Sequence, residues 1–460
     1  MSRAGRVATM ALAALAVSGA SAQHARVTFE QAAAVVETLR SNLPADLRGR
    51  SAAEIERLWP RWVEQHDRDV RARLARGDED SLVNFWLYGT SFTSQPPAVG
   101  RTSTLAAAPD DAAVDDIARR RLEDLLDRAS APGDNERLRF ARRLLASRNA
   151  DPSTGDGRVR ARRFLQEVRQ RMVQEFAGAA RTQAAARARG DGVLAGANAT
   201  LFRDRGLSSD TSVLSDFGVH VALEMIAAQG TLKPGSVRRA ALVGPGLDFT
   251  NKADGYDYYP QQTLQPFALV DALRRTGLAA ATLRLTTFDI STRVNDHLRN
   301  ALAKAAGPAG YVVTLPLEGD ETWTGRVMAY WRQWGSAVGD EVQAIAPPAA
   351  AGNLRARAVR IHPAVVAAID PRDFNVVLDR PAMPESGRFD LVVATNVLLY
   401  YDVFEQALAA SNVAAMLKSG GLFLTNTAVL PQPPLKATAA YLRVDHTLDR
   451  YDEILWYQRE

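Results

Sequence analysis

The chain has 460 residues, 47% of them hydrophobic and 23% charged, with a net charge of +4 and no cysteine. That length exceeds one ordinary core and predicts two folded domains, each able to bury enough apolar surface without disulfides. The lack of cysteine excludes disulfides, thiolate metal sites and thiol nucleophiles, and the small net charge without a Lys or Arg run gives no footprint for nucleic acid.

In chain order, Arg3 and Arg6 precede an apolar run, Val7 to Val17, and the small residues Ala20-Ser21-Ala22. This order predicts a signal peptide over residues 1–22, leaving Gln23 as the mature N-terminus. The run is short for a membrane span and no later segment is apolar enough to be one, so no stable membrane insertion is expected after signal removal. A lipid anchor is excluded because no Cys follows. The protein is expected to be exported, periplasmic or secreted; a start codon at Met10 or beyond is the other reading and leaves it in the cytoplasm. The six His form no HxxxH or HxH pair, so no metal site is expected.

Residues 23–211 read as a helical domain. Thr28 caps a helix reaching about Leu43, and Ile55, Leu58, Trp59 and Trp62 recur at helical spacing between Ser51 and Ala75. A turn is expected at Gly77-Asp78, followed by helices over 112–129, 135–147 and 157–188, with a polar, Pro-broken loop at Thr90–Pro97. No repeat of fixed period is present. The texture changes at Ser212. A helix over Val213–Ala228, a Lys233-Pro234-Gly235 turn and a buried strand at Arg239–Val243 open a strand–helix alternation that runs to the end. Such alternation predicts an α/β domain, 212–460, with a doubly wound, mostly parallel sheet.

Three strand ends carry candidate chemistry. The strand Ala240–Val243 runs into Gly244-Pro245-Gly246-Leu247-Asp248, where glycine lets the backbone approach a ligand; a plain tight turn explains the same residues. Thr282–Ile290 is a strand ending in Asp289, whose carboxylate suits ribose hydroxyls or, alternatively, caps the helix from Thr292. The third is Phe389-Asp390-Leu391-Val392-Val393-Ala394-Thr395-Asn396-Val397-Leu398-Leu399-Tyr400-Tyr401-Asp402. It leads through a helix to Lys418-Ser419-Gly420-Gly421 and a strand, Leu422–Asn426.

That third combination resembles the fourth and fifth strands of class I S-adenosylmethionine (SAM)-dependent methyltransferases. It is most similar to the chemotaxis-receptor (glutamate) branch, with its FDLI–RNVLIYF–LKPGG pattern. Phe374–Asp379 then takes the place of the third strand, and Tyr441–His446 with Ile454–Gln458 that of the closing antiparallel pair. The resemblance spans Val213–Glu460 and leaves the helical region unrecognised. It implies that Gly244, Gly246 and Asp248 line the methionine and ribose side of SAM, that Asp289 holds the ribose and Asp379 sits near the adenine. Thr395 and Asn396 would lie beside the methyl group.

The chain departs from the pattern in four places. Leu242 stands where an acidic residue is usual, and Asp248 replaces the third glycine. An insertion over 250–266 offers Asp254, Tyr256, Asp257 or Tyr259 as a cap on the crevice; a surface loop pinned by tyrosines is the plainer reading. A second insertion, 311–361, carries Trp323, Tyr330, Trp331 and Trp334 as either a lid or a small core. No catalytic residue is assigned, although Tyr256, Tyr400 or Asp402 would serve as base for an amine or hydroxyl acceptor if they reach the crevice. The expected function is methyl transfer from SAM to a carboxylate, amine or hydroxyl on a small molecule or protein. The alternative is an exported, non-catalytic relative that binds a ligand or partner.

Overall fold

The computed structural model describes residues 25–98, 112–187, 206–211, 213–248, 257, 259–317, 322–347, 355–430, 432–438, 441–448 and 450–460. Residues 1–22, where a signal peptide is expected, therefore fall outside the described residues, as do Asp254 and Tyr256.

The first helix, α1 (Phe29–Thr38), starts with a capping box between Thr28 and Gln31. Ser51 and Glu54 do the same for α2 (Ala52–Tyr88), a single helix of 37 residues. The turn expected at Gly77-Asp78 does not form: the helix runs on through both residues, and Gly77 is small because the backbone of Leu207 packs where its side chain would stand. A Cβ there would lie 1.7 Å from the Leu207 carbonyl oxygen. Three more helices follow: α3 (Ala112–Ser130), α4 (Glu136–Ser147) and α5 (Gly155–Arg187).

The remaining chain alternates. In order come β1 (Asp210–Thr211), α6 (Val213–Ala228), β2 (Val237–Val243), β3 (Leu247–Asp248), α7 (Gln265–Arg275), β4 (Ala279–Asp289) and α8 (Thr292–Ala305). The second insertion contributes β5 (Tyr311–Pro316), α9 (Gly325–Gln333), β6 (Gly339–Val342) and β7 (Ala356–Ile361). Then follow α10 (Pro363–Val366), β8 (Ile369–Asp373), β9 (Phe389–Ala394), α11 (Val403–Met416), β10 (Leu417–Thr425), β11 (Leu435–Ala437), β12 (Leu442–Asp445) and β13 (Tyr451–Arg459).

The main sheet has the order β11-β13-β10-β9-β2-β4-β8. β8, β4, β2, β9 and β10 are parallel, while β13 runs antiparallel to both β10 and β11. The chain winds outward from β2 to β4 and β8, then crosses back to β9 on the other side. The switch point thus lies at the carboxyl end of β2, where open α/β sheets form their ligand crevice.

Two expectations change. The third strand is β8, not Phe374–Asp379. The latter segment is strand-like in composition but turns, because Asn375 closes it: its side-chain oxygen accepts from Val377 N (3.1 Å) and its carbonyl from Asp379 N (2.7 Å). The β12–β13 hairpin forms as expected, yet β12 pairs only with the first residues of β13, while β11 takes the edge beside the stretch that joins β10.

Alternate residues along β2 face opposite layers, as the pleat requires. Ala240 and Leu242 pack with α6, α7, α8 and the aromatic residues of the second insertion. Ala241 and Val243 pack with α11, α1 and the first half of α2, including Val35, Trp59 and Trp62. The second half of α2 shares a separate core with α3, α4 and α5. The packing therefore cuts across the boundary expected near residue 211: α1 and the start of α2 complete the layer that covers one face of the sheet.

Candidate active site

β2 ends in a left-handed turn. Gly244 and Gly246 have φ of +67° and +62°, a region that L side chains seldom enter. Space forbids a side chain as well, since a Cβ on Gly244 would lie 2.5 Å from Val397 Cγ2. Beyond the turn, Leu247 N donates to Ser209 O (2.6 Å), and Asp248 pairs through its backbone with Thr211.

Above this turn lies a cavity of about 610 Å³, within the usual size for a small-molecule site. Gly244, Gly246, Asp289, Thr395 and Asn396 all line it. They come from the ends of β2, β4 and β9, which sit side by side in the sheet, so parallel pairing alone brings them together.

Asp289 is partly exposed in the cavity wall. Burial pushes its carboxyl up to about 7. N–H donors on Ser291 and Gly246 oppose that rise, and the nearby Asp373 and Asp78 add to it. The Ser291 N–H donates to Asp289 Oδ1 at 2.8 Å, so Asp289 serves the turn before α8, while Ser291 itself caps that helix through Val294 N. Asn396 has a φ of +58°, and its Oδ1 accepts from Asn426 Nδ2 (2.7 Å) while its N–H donates to Asn426 Oδ1 (2.9 Å). This pair locks the ends of β9 and β10 together. Thr395 donates to Gln265 Oε1 (2.9 Å), and Gln265 Nε2 in turn donates to the carbonyls of Gly244 (3.1 Å) and Pro245 (3.2 Å). The first residue of α7 thereby ties two strand ends.

Asp379 does not join them. It accepts from Arg26 Nη1 (2.6 Å) and Asn375 N (2.8 Å), and so anchors the start of the described chain to the turn after β8. Asp402 caps α11 through Phe404 and Glu405, so it serves the helix and not the crevice. Asp257 and Tyr259 of the first insertion are tied to the helical region instead: Thr90 and Ser91 hydroxyls donate to Asp257 at 3.0 Å each, and Arg137 donates to the carbonyls of both residues. Tyr330, Trp331 and Trp334 are buried in the core beside the sheet, which settles them as packing residues.

Sequence reasoning missed the roof. Asp80, Ser81, Asn84 and Tyr88 of α2, Met172 of α5 and the segment Gly206–Thr211 line the cavity opposite the sheet. Asp80, Asn84 and Tyr88 recur every fourth residue and so share one helix face, but nothing in that spacing marks it as a ligand wall. Ser81 Oγ donates to Asp210 Oδ2 (3.1 Å), which joins α2 to β1. Asp80 is paired with Arg171 at 2.6 Å, and burial raises its carboxyl against that pairing. Tyr400 and Tyr401 close the side beyond β9, and Arg73 Nη2 fastens α2 there by donating to Tyr400 O (2.8 Å).

The strand order and the crevice at the switch point define a doubly wound, Rossmann-like fold. Among solved structures, the chain is similar to the N-methyltransferase NodS from Bradyrhizobium japonicum WM9 in complex with S-adenosyl-L-homocysteine. That similarity is at 13% identity and a TM-score of 0.25, over 53% of this chain and 86% of that one. It is also similar to magnesium protoporphyrin IX methyltransferase (ChlM) from Synechocystis PCC 6803 with bound SAM, at 12% identity and a TM-score of 0.27, over 54% and 81% of the two chains. No protein-family model and no curated protein matches the chain.

Proposed function

We propose that the crevice binds SAM and that the protein is a methyltransferase. The observation that carries this reading is the convergence of the Gly244–Gly246 turn, Asp289 and the Thr395–Asn396 pair on one cavity at the switch point. The cavity fits the group: the Gly244–Gly246 turn lines it, and an acidic side chain stands at the end of the neighbouring strand. Asp289 would hold ribose hydroxyls, the Gly244–Gly246 turn would face the amino-acid part, and Phe374 and Val376 offer apolar surface to a base. SAM supplies an activated methyl group on a sulfonium. The protein's own contribution is alignment under a roof that excludes water, so proximity accounts for much of the rate.

Leu242 favours the second reading, a relative that keeps the fold without catalysis, because the usual acidic position is here buried in the core at 1% exposure. Export of the mature chain from Gln23 onward belongs to our proposal too, and raises the question of where the donor comes from. Calorimetry with S-adenosylhomocysteine on the mature chain separates the readings. Micromolar binding is expected; no binding at millimolar ligand leaves the non-catalytic relative. N-terminal sequencing of the product tests the leader.

The glutamate-methylating branch matches the β9–β10 segment alone. We therefore base the choice of acceptor on the cavity wall.

A further inference from the structure

We propose that the methyl acceptor is an amine, held against the α2 side of the crevice. This rests on the donor reading above. Three carboxylates line the cavity, Asp80, Asp210 and Asp289, and among its described lining residues there is no Lys, Arg or His. The balancing cations stand behind the wall: Arg171 beside Asp80, and Arg293 within electrostatic reach of Asp210 and Asp78. The charged side chains that the described lining presents to a ligand are thus all acidic, and beside them stand apolar and aromatic groups, Met172, Tyr88, Leu399 and Tyr400, among polar ones such as Asn84, Thr395 and Asn396. An ammonium group on an apolar body matches both features.

The two ends of the cavity differ. Asp289, Gly244 and Gly246 belong to the sheet side assigned to the donor. Asp80, Ser81 and Asn84 are carried on one face of α2, and Asp210 is bound to that face through Ser81. An acceptor carboxylate would enter beside Asp80 and Asp210 as a further like charge, which is unfavourable. An amine instead keeps the charges matched through the reaction. Having given its proton to water, it uses its lone pair to form the nitrogen–carbon bond. The carbon–sulfur bond breaks, and its electron pair stays on sulfur. Positive charge moves from sulfur to nitrogen without leaving the crevice, so the three carboxylates face a cation before and after. A carboxylate acceptor would cancel that cation and leave them uncompensated.

The test uses the full mature chain. Calorimetry first measures S-adenosylhomocysteine alone, then hexylamine and octylamine against hexanoate and octanoate with S-adenosylhomocysteine saturating. The amines are expected to bind about tenfold or more tighter than carboxylates of equal length. Asp80→Asn should weaken the amine about tenfold and leave S-adenosylhomocysteine binding unchanged, since Arg171 keeps Glu79 and Glu175 as partners. If that variant does not fold, Asn84→Leu tests the same face. Equal or tighter binding of the carboxylates, or binding of neither class, overturns the amine assignment and leaves the donor reading standing. Failure to bind S-adenosylhomocysteine removes both.

Discussion

Asp289 works under opposed demands. To accept ribose hydroxyls it must be ionised, yet its surroundings hold its carboxyl up at about 7 against an ordinary 3.8. A raised acid binds more protons folded than unfolded. Its contribution is therefore most favourable below the unfolded value and is lost as pH rises from about 4 through 7. Asp289→Asn should remove that slope and stabilise the ligand-free protein at pH 8 by on the order of 1–2 kcal/mol, after discounting for solvent in the cavity. The same change should abolish S-adenosylhomocysteine binding. In the parent protein, that binding should weaken as pH falls below about 7. Thermal melts and titrations at pH 6 and 8 check both signs. Gly244→Ala combines a positive φ with a clash on Val397. A loss of about 2–3 kcal/mol is expected in urea unfolding, with ligand affinity falling as the ends of β2 and β9 separate.

At the scale of elements, α2 contributes to two cores and a roof. Trp59 stacks obliquely on Trp62 with ring centres 4.9 Å apart, and Trp62 meets Phe404 of α11 edge-on at 5.8 Å. Trp59→Ala should cost about 3–5 kcal/mol, as for other buried tryptophans, although the residue lies nearly two hundred positions before β2. A chain starting at residue 212 would uncover the part of the sheet face carrying Ala241, Val243, Val392 and Phe423 that α11 does not cover. We expect it to aggregate or stay unfolded, while a chain from residue 25 folds; circular dichroism and size exclusion decide. Reading the sequence locally explains both the successes and the failures here. Strand ends such as Val243-Gly244 and Ala394-Thr395-Asn396 are visible because a buried run stops abruptly at residues suited to a turn. The α2 roof is invisible by the same logic, since Asp80, Ser81 and Asn84 look like the solvated face of a helix until another element covers them. Phe374–Asp379 misleads because its apolar residues are buried as a turn, and the partner that fixes Asp379 is Arg26, 353 residues away.

For the whole molecule, the parallel sheet was legible from alternation, whereas its dependence on the N-terminal helices was not: nothing in the spacing of Val35, Trp59 or Trp62 says which surface they cover. The long helix joins these parts mechanically. At 1.5 Å per residue, the 37 residues of α2 span about 55 Å, from the sheet layer past the crevice into the helical core. A continuous helix cannot lift over the crevice at one point without breaking its own hydrogen bonds, and Arg73 and Ser81 moor it on either side of Gly77. Beside it runs the thin strip of Gly206–Thr211, held by a two-residue ladder to β3 and by Leu207 N donating to Arg73 O (3.0 Å). Amide exchange in that strip should slow on S-adenosylhomocysteine binding, while the α2 amides exchange at an unchanged rate. The strip is thus a hem of extended chain, and the helix is the beam from which it hangs.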